Sequence, residues 1–291
     1  MQPKFNFQAI GTHWQIDVFE QVPEEAQKEL LNKILTRISE FEKTYSRFLP
    51  DSVVAKIAIS AGEFAFPPDS KKLFAEYRKM YDITGGLFTP LIGGVLNDAG
   101  YDKDYSLRQK TELQKPPRWD EVMVFDFPKL SVRKPVQLDF GAAGKGFLVD
   151  LVGNVLEQNG FRSYCVDAGG DILHRDILGQ SLRVGLENPK DTSQVIGVIE
   201  IANKSLCGSA GNRRAWGNFH HIINPKTLSS PHDISAVWVL ADDTISADIL
   251  TSGLFFAEPA VLLKHYDFEY FILRPDNSFE KSAGFEVEVF S

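Results

Sequence analysis

The chain has 291 residues, 43% of them hydrophobic and 24% charged, with a formal net charge of −8. A chain of this length buries about three quarters of its unfolded surface and needs no disulfide staples, while its acidic balance argues against nucleic-acid binding, which calls for a basic surface. Residues 1–10 (MQPKFNFQAI) lack an apolar core of signal-peptide length, and nowhere do about 18 apolar residues follow one another. No transmembrane segment is therefore expected. The expected compartment is the cytoplasm, with export as the alternative for a mature form stripped of its signal.

Alternating apolar residues at 14–19 (WQIDVF) predict a half-buried strand. A helix opening at Pro23, Glu24 and Glu25 follows, its apolar stripe made of Leu30, Leu31, Ile34, Leu35, Ile38 and Phe41. A second helix is signalled by Asp69 and Ser70 as cap candidates, by Leu73, Phe74, Tyr77, Met80 and Tyr81 on one face, and by Gly85 and Gly86 as its stop. Residues 102–120 are charged and include Pro116 and Pro117, which predicts a solvent-exposed excursion or a subdomain edge. Phe147, Leu148, Val149, Leu151, Val152, Val155 and Leu156 predict a helix that stops at Gly160, and residues 163–168 a strand. Further strands are expected at 182–186, 195–202, 236–241 and 270–273. Helices and strands intermingle without a βαβ rhythm, so the expected class is α+β: a mixed β-sheet packed with helices over residues 1–291, as one domain or two intimately packed subdomains.

Three segments could carry chemistry. Residues 139–146 (DFGAAGKG) fit neither phosphate-loop fingerprint. They do offer a glycine-rich turn feeding a helix, where free N–H groups, the dipole and Lys145 could face a phosphate; the plainer reading is a tight turn with a surface lysine. Asp139, at a strand end, would then face a ligand or merely cap the turn. In residues 166–171 (VDAGGD) two glycines follow another strand, suiting close approach to a ligand or a strained turn. Asp248 and Ser252, four apart, share one face if they stand on a helix and make a credible half of a Mg²⁺ site, with Thr251 in the metal's outer shell; on spacing alone an N-cap aspartate is the commoner case.

His220 and His221 lie in an extended segment that sends one imidazole inward and the other out, and an unperturbed histidine can move a proton near neutrality. Arg213 and Arg214 would offset phosphate charge or cover surface. Cys165 and Cys207 show no metal or redox spacing and read as buried small apolar residues.

Six segments in order, 9–14 (AIGTHW), 45–52 (YSRFLPDS), 84–90 (TGGLFTP), 139–146, 207–227 (CGSAGNRRAWGNFHHIINPKT) and 247–252 (ADILTS), resemble the ApbE-like family of FAD:protein FMN transferases over nearly the whole chain. The resemblance implies an ApbE-like fold and Mg²⁺-dependent transfer of FMN from FAD to a Thr or Ser hydroxyl of a client flavoprotein, releasing AMP. It implies that Asp139 and Lys145 contact FAD, that the Ala142 carbonyl and Asp248 bind Mg²⁺, and that Ile10, Phe48, Leu87, Phe88 and Thr89 line the dinucleotide. His221 and Ile222 would approach the same pocket, with His221 the histidine best suited to proton transfer. The chain departs from the family pattern at Ser252, where threonine is the usual ligand, at Thr251, where some members carry a carboxylate, and at Thr89, where aspartate is frequent. Ala210 and Leu228 replace a common serine and glycine. Two other readings share the site: an FAD pyrophosphatase giving FMN and AMP, and a non-catalytic FAD carrier.

Overall fold

The computed structural model describes residues 2–290, beginning with a hairpin. Strands β1 (Lys4–Ala9) and β2 (Thr12–Val18) pair antiparallel and turn at Ile10 and Gly11. Both turn residues have positive φ, 46° and 74°, the sense that matches the twist of a two-residue hairpin. Glycine takes it freely, whereas a β-branched isoleucine is strained there.

Helix α1 (Glu24–Tyr45) starts after Pro23 with two glutamates in its first turn, where the dipole favours them. It buries Leu30, Ile34, Ile38, Phe41 and Tyr45, while Leu35 is 40% exposed, so the stripe is narrower than its sequence pattern. After the short α2 (Val53–Ile57) and β3 (Gly62–Ala65), α3 (Ser70–Ile83) buries Leu73, Phe74, Tyr77 and Met80 and stops at Gly85 and Gly86, both at positive φ. Asp69 stands at the α3 N-cap position but makes no capping bond; its carboxylate pairs with Arg37. A 3₁₀ turn at Pro90–Ile92 leads into α4 (Gly93–Ala99). Residues 103–118 then run mostly exposed without helix or strand, and the excursion closes at the buried Trp119 of α5 (Trp119–Val122). Strands β4 (Met123–Asp126) and β5 (Lys129–Val132) join β3 in a three-stranded sheet.

The second half supplies α6 (Gly144–Gln158), β6 (Tyr164–Ala168), β7 (Ile172–Arg175), β8 (Leu182–Asn188), β9 (Asp191–Ile201) and β10 (Ser205–Ala210). There follow β11 (Ala215–Trp216), β12 (Phe219–His220), β13 (Ala236–Ala241), α7 (Thr244–Gly253), α8 (Pro259–Leu262), β14 (Glu269–Leu273), β15 (Phe279–Lys281) and β16 (Val287–Val289). Eight strands form an antiparallel sheet in the order β1-β2-β6-β7-β10-β13-β14-β15, and β16-β9-β8 form a smaller one.

Both faces of the large sheet are covered. On β13, Val237 and Val239 join the larger core with residues of α6 and α7, and Ala236 and Trp238 join a second core with Leu186, Ile199 and Ile201 of the small sheet. That double burial is why residues 236–241 read as an unbroken apolar run. The class is α+β, as the interspersed pattern predicts. Among the described residues no helix is long and apolar enough to cross a membrane.

Candidate active site

The glycine turn ahead of α6 is fixed from both sides. Phe140 O accepts from Gly144 N at 2.7 Å, and Asp139 Oδ1 accepts from Gly141 N at 2.7 Å, so Asp139 does cap the turn. Its other oxygen accepts from Arg47 Nε at 2.5 Å. Within the first turn of the helix, Gly146 N donates to Asp248 Oδ2 at 2.8 Å. A Cβ on Gly146 would stand 2.4 Å from Thr244 O and 2.6 Å from Asp248 Cβ, so only glycine lets α6 and α7 approach this closely.

Asp248 is not the N-cap of α7. That position belongs to Asp243, which accepts from Ser246 N, and the carboxylate of Asp150 accepts from Thr244 N and Ile245 N at the same helix start. Asp248 lies farther along a helix in which every residue but Ser246 is buried. Burial, then the neighbouring charge of Asp171, push its carboxyl well above the usual range, against the opposing pull of Lys145 and of the Gly146 N–H. Burial disfavours the Lys145 ammonium, yet the carboxylates of Asp171 and Asp248 outweigh it and raise its proton affinity.

Two buried carboxyl groups thus lie beside one ammonium, an arrangement in which a hard cation would favour the ionised form of Asp248. Asp248, Ser252 and Ala142 border the same space. Among the described residues no group of three or more His, Cys, Asp or Glu side chains is placed to hold a metal, so a cation here would keep several waters, as Mg²⁺ does. Thr251 is turned away: it is fully buried, and its hydroxyl donates to Asp248 O at 2.7 Å and meets Ser209 Oγ at 2.9 Å. It supports the helix and does not line the cleft.

The cleft holds about 800 Å³. Its walls bring together Ile10, Phe48, Leu87, Phe88, Thr89, Asp139, Ala142, Lys145, His221, Ile222, Asp248 and Ser252, from segments spread along the chain. Thr89 caps the 3₁₀ turn by accepting from Leu91 N. On the aromatic wall the Arg47 guanidinium lies 4.3 Å from the Phe48 ring centre and 5.0 Å from that of Tyr101, and the Arg214 guanidinium lies 5.9 Å from the Tyr101 ring centre. Arg213 instead pairs with Glu187.

The histidine pair does not divide into one inward and one outward ring, because the fold closes over both. His220 is buried, with Nε2 2.7 Å from Pro231 O, and His221 lines the cleft with its Nδ1 buried and without a hydrogen bond. Burial, then the charges of Arg214 and Lys145 among its neighbours, push His221 down to about 3, so it is neutral near pH 7. Both cysteines are buried and free. Arg47, Tyr101 and Asp171 were missed in the sequence because each acquires its meaning from a distant partner; only their places inside the 45–52 and 166–171 segments, for Arg47 and Asp171, hinted at a role.

Fold and site together define an α+β protein with a deep cleft suited to an anionic, aromatic ligand. Residues 10–270 match the model of the ApbE family, and the chain belongs to that family. It is 30% identical to the FAD:protein FMN transferase of Haemophilus influenzae over 88% of this chain and 80% of that one. To the protein of the same description from Treponema pallidum it is 26% identical, covering 94% and 85%. The ApbE protein of Thermotoga maritima shares the fold, with a TM-score of 0.83 at 21% identity and 98% of each chain covered.

Proposed function

We propose that this chain moves the FMN half of FAD onto a threonine or serine hydroxyl of a client flavoprotein and releases AMP. The observation that carries the proposal is the convergence, in one cleft, of the Lys145 turn, the Asp248–Ser252 face of α7 and the aromatic wall around Phe48 and Tyr101; the volume suits a dinucleotide. The names of the Haemophilus and Treponema relatives point the same way.

In the reaction the client's hydroxyl oxygen bonds to the FMN-side phosphorus, the bond from that phosphorus to the bridging oxygen breaks, and AMP leaves with the bridging oxygen. The demand on the protein is positioning and charge neutralisation. Lys145 places a fixed ammonium against the pyrophosphate, a preorganised donor of the kind whose loss costs ~10²-fold or more. Asp248, Ser252 and the Ala142 carbonyl would hold Mg²⁺, which when bound supplies further neutralisation of the phosphate oxygens. His221 is neutral and able to accept the hydroxyl proton; anionic phosphates beside it offset Arg214 and Lys145 and raise its basicity. Both oxygens of Asp139 are engaged by Gly141 and Arg47, so it acts on the dinucleotide by holding the turn and the guanidinium.

Intact mass spectrometry of a flavin-acceptor domain, incubated with this protein, FAD and Mg²⁺, tests the proposal. The expected result is a gain of one FMN that chelator and Asp248→Asn abolish. FMN and AMP without an adduct would mean that water takes the hydroxyl's place, and FAD bound but uncleaved would make the protein a carrier.

A further inference from the structure

Asp171 is a buried carboxylate with an unusual environment. It is 1% exposed, and Lys145 Nζ stands 2.8 Å from Oδ2. A buried charge so poorly solvated is costly, and one ion pair seldom repays the cost in stability.

Its main chain is held rigidly. Asp171 follows the turn of Gly169 and Gly170 between β6 and β7, both at positive φ. Asp167 Oδ1 accepts from Gly170 N at 2.8 Å and Asp171 O accepts from Ala168 N at 3.0 Å. A Cβ on Gly169 would fall 2.0 Å from Thr12 Oγ1, so β2 closes over the turn. Lys145, by contrast, carries its charge on a flexible stem with several rotamers. Asp171 and Asp248 both attract that ammonium, yet among the described residues the only ion pair that Lys145 makes is with Asp171.

We infer that Asp171 is a positioning residue that anchors the Lys145 ammonium on the β6–β7 side of the cleft and so keeps it off Asp248, leaving that carboxylate open to a divalent cation. The inference rests on the cleft's being the FAD and cation site. After Asp171, Asp248 is the carboxylate that attracts the ammonium most, and a lysine seated there without the anchor competes with the cation for the same oxygens.

Calorimetric titration with Mg²⁺ alone, with no FAD or client present, tests this as a double-mutant cycle. Asp171→Asn should weaken Mg²⁺ binding about tenfold to a hundredfold, the range seen when an outer-shell partner is lost. In a Lys145→Met background the same substitution should cost less than about threefold, since no ammonium remains to stray. Equal losses in both backgrounds would overturn the inference, because Asp171 would then act through its own charge or through the fold. Asp171→Glu, which keeps a carboxylate within reach of Lys145, should stay within about threefold of the parent; a loss as large as that of Asn would also overturn it. Melting temperatures establish that each variant is folded. A parent protein that binds neither Mg²⁺ nor FAD would sink the reading of the cleft itself, a result separate from an additive cycle.

Discussion

At the α6–α7 end of the cleft, Gly146 has no room for a Cβ, Asp248 takes its N–H, and the buried Asp171 pairs with Lys145. At the other end, Phe48, Tyr101 and Tyr105 lean on one another with ring centres 5.3 to 5.9 Å apart, and Tyr105 is 53% exposed. The first end is built of short side chains, main-chain groups and buried charges whose positions are over-determined; the second is built of broad surfaces that tolerate adjustment. Charge development in a transition state demands fixed groups, whereas a planar ligand is held by area. Under the proposed function, chemistry and recognition would fall to different materials within one cavity.

The contrast can be broken most sharply at Asp248. Replacing it with asparagine should lower FMN transfer by ~10³-fold or more, measured by adduct formation, while raising the melting temperature in metal-free buffer. Its carboxyl is held well above the usual range, so ionising it costs the fold stability, and the neutral amide removes that cost. A melting temperature that falls would show that the carboxylate is structural.

Gly146→Ala probes the same end through packing. The added methyl meets main chain, not a flexible side-chain tip, so urea denaturation should report a loss of about 1–3 kcal/mol. Stability equal to the parent's would mean that the helices part easily. Tyr101→Ala tests the aromatic end: KM for FAD should rise about tenfold with kcat within about threefold, and a large fall in kcat would erase the distinction between the two ends.

The smallest effect concerns His221. Its folded pKa, about 3, lies below its ordinary value of 6.5, so the unfolded chain binds the proton more readily between those limits. The stability tied to its neutral form is present above about pH 6.5 and is lost as pH falls toward 3. Denaturation midpoints of His221→Gln should therefore decline less steeply with acid over that window than those of the parent.

Elements with strong local signals were legible in the chain. The stripe of α3, the stop at Gly160 and the alternation at 14–19 are written in spacing that a single helix or strand must obey. The ordered segments also pointed to most of the cleft wall. What failed were judgements that depend on a neighbour: Asp69 pairs with Arg37 instead of capping α3, and Leu35 stays exposed on the helix flank. Spacing left Asp248 as a cap or half of a metal site, and Asp243 and Asp150, gathered at the α7 start, removed the cap reading.

By itself, then, the sequence determined the α+β class, the principal helices and strands, and the family to which the cleft residues belong, because turn chemistry and apolar period act over a few neighbours. Tertiary structure alone decided that Arg47 meets Asp139 across 92 residues of chain and that Lys145 takes Asp171 as its ion-pair partner. Electrostatic pairing depends on distance in space and on exclusion of water, and neither is encoded in the order of residues at the point where they occur.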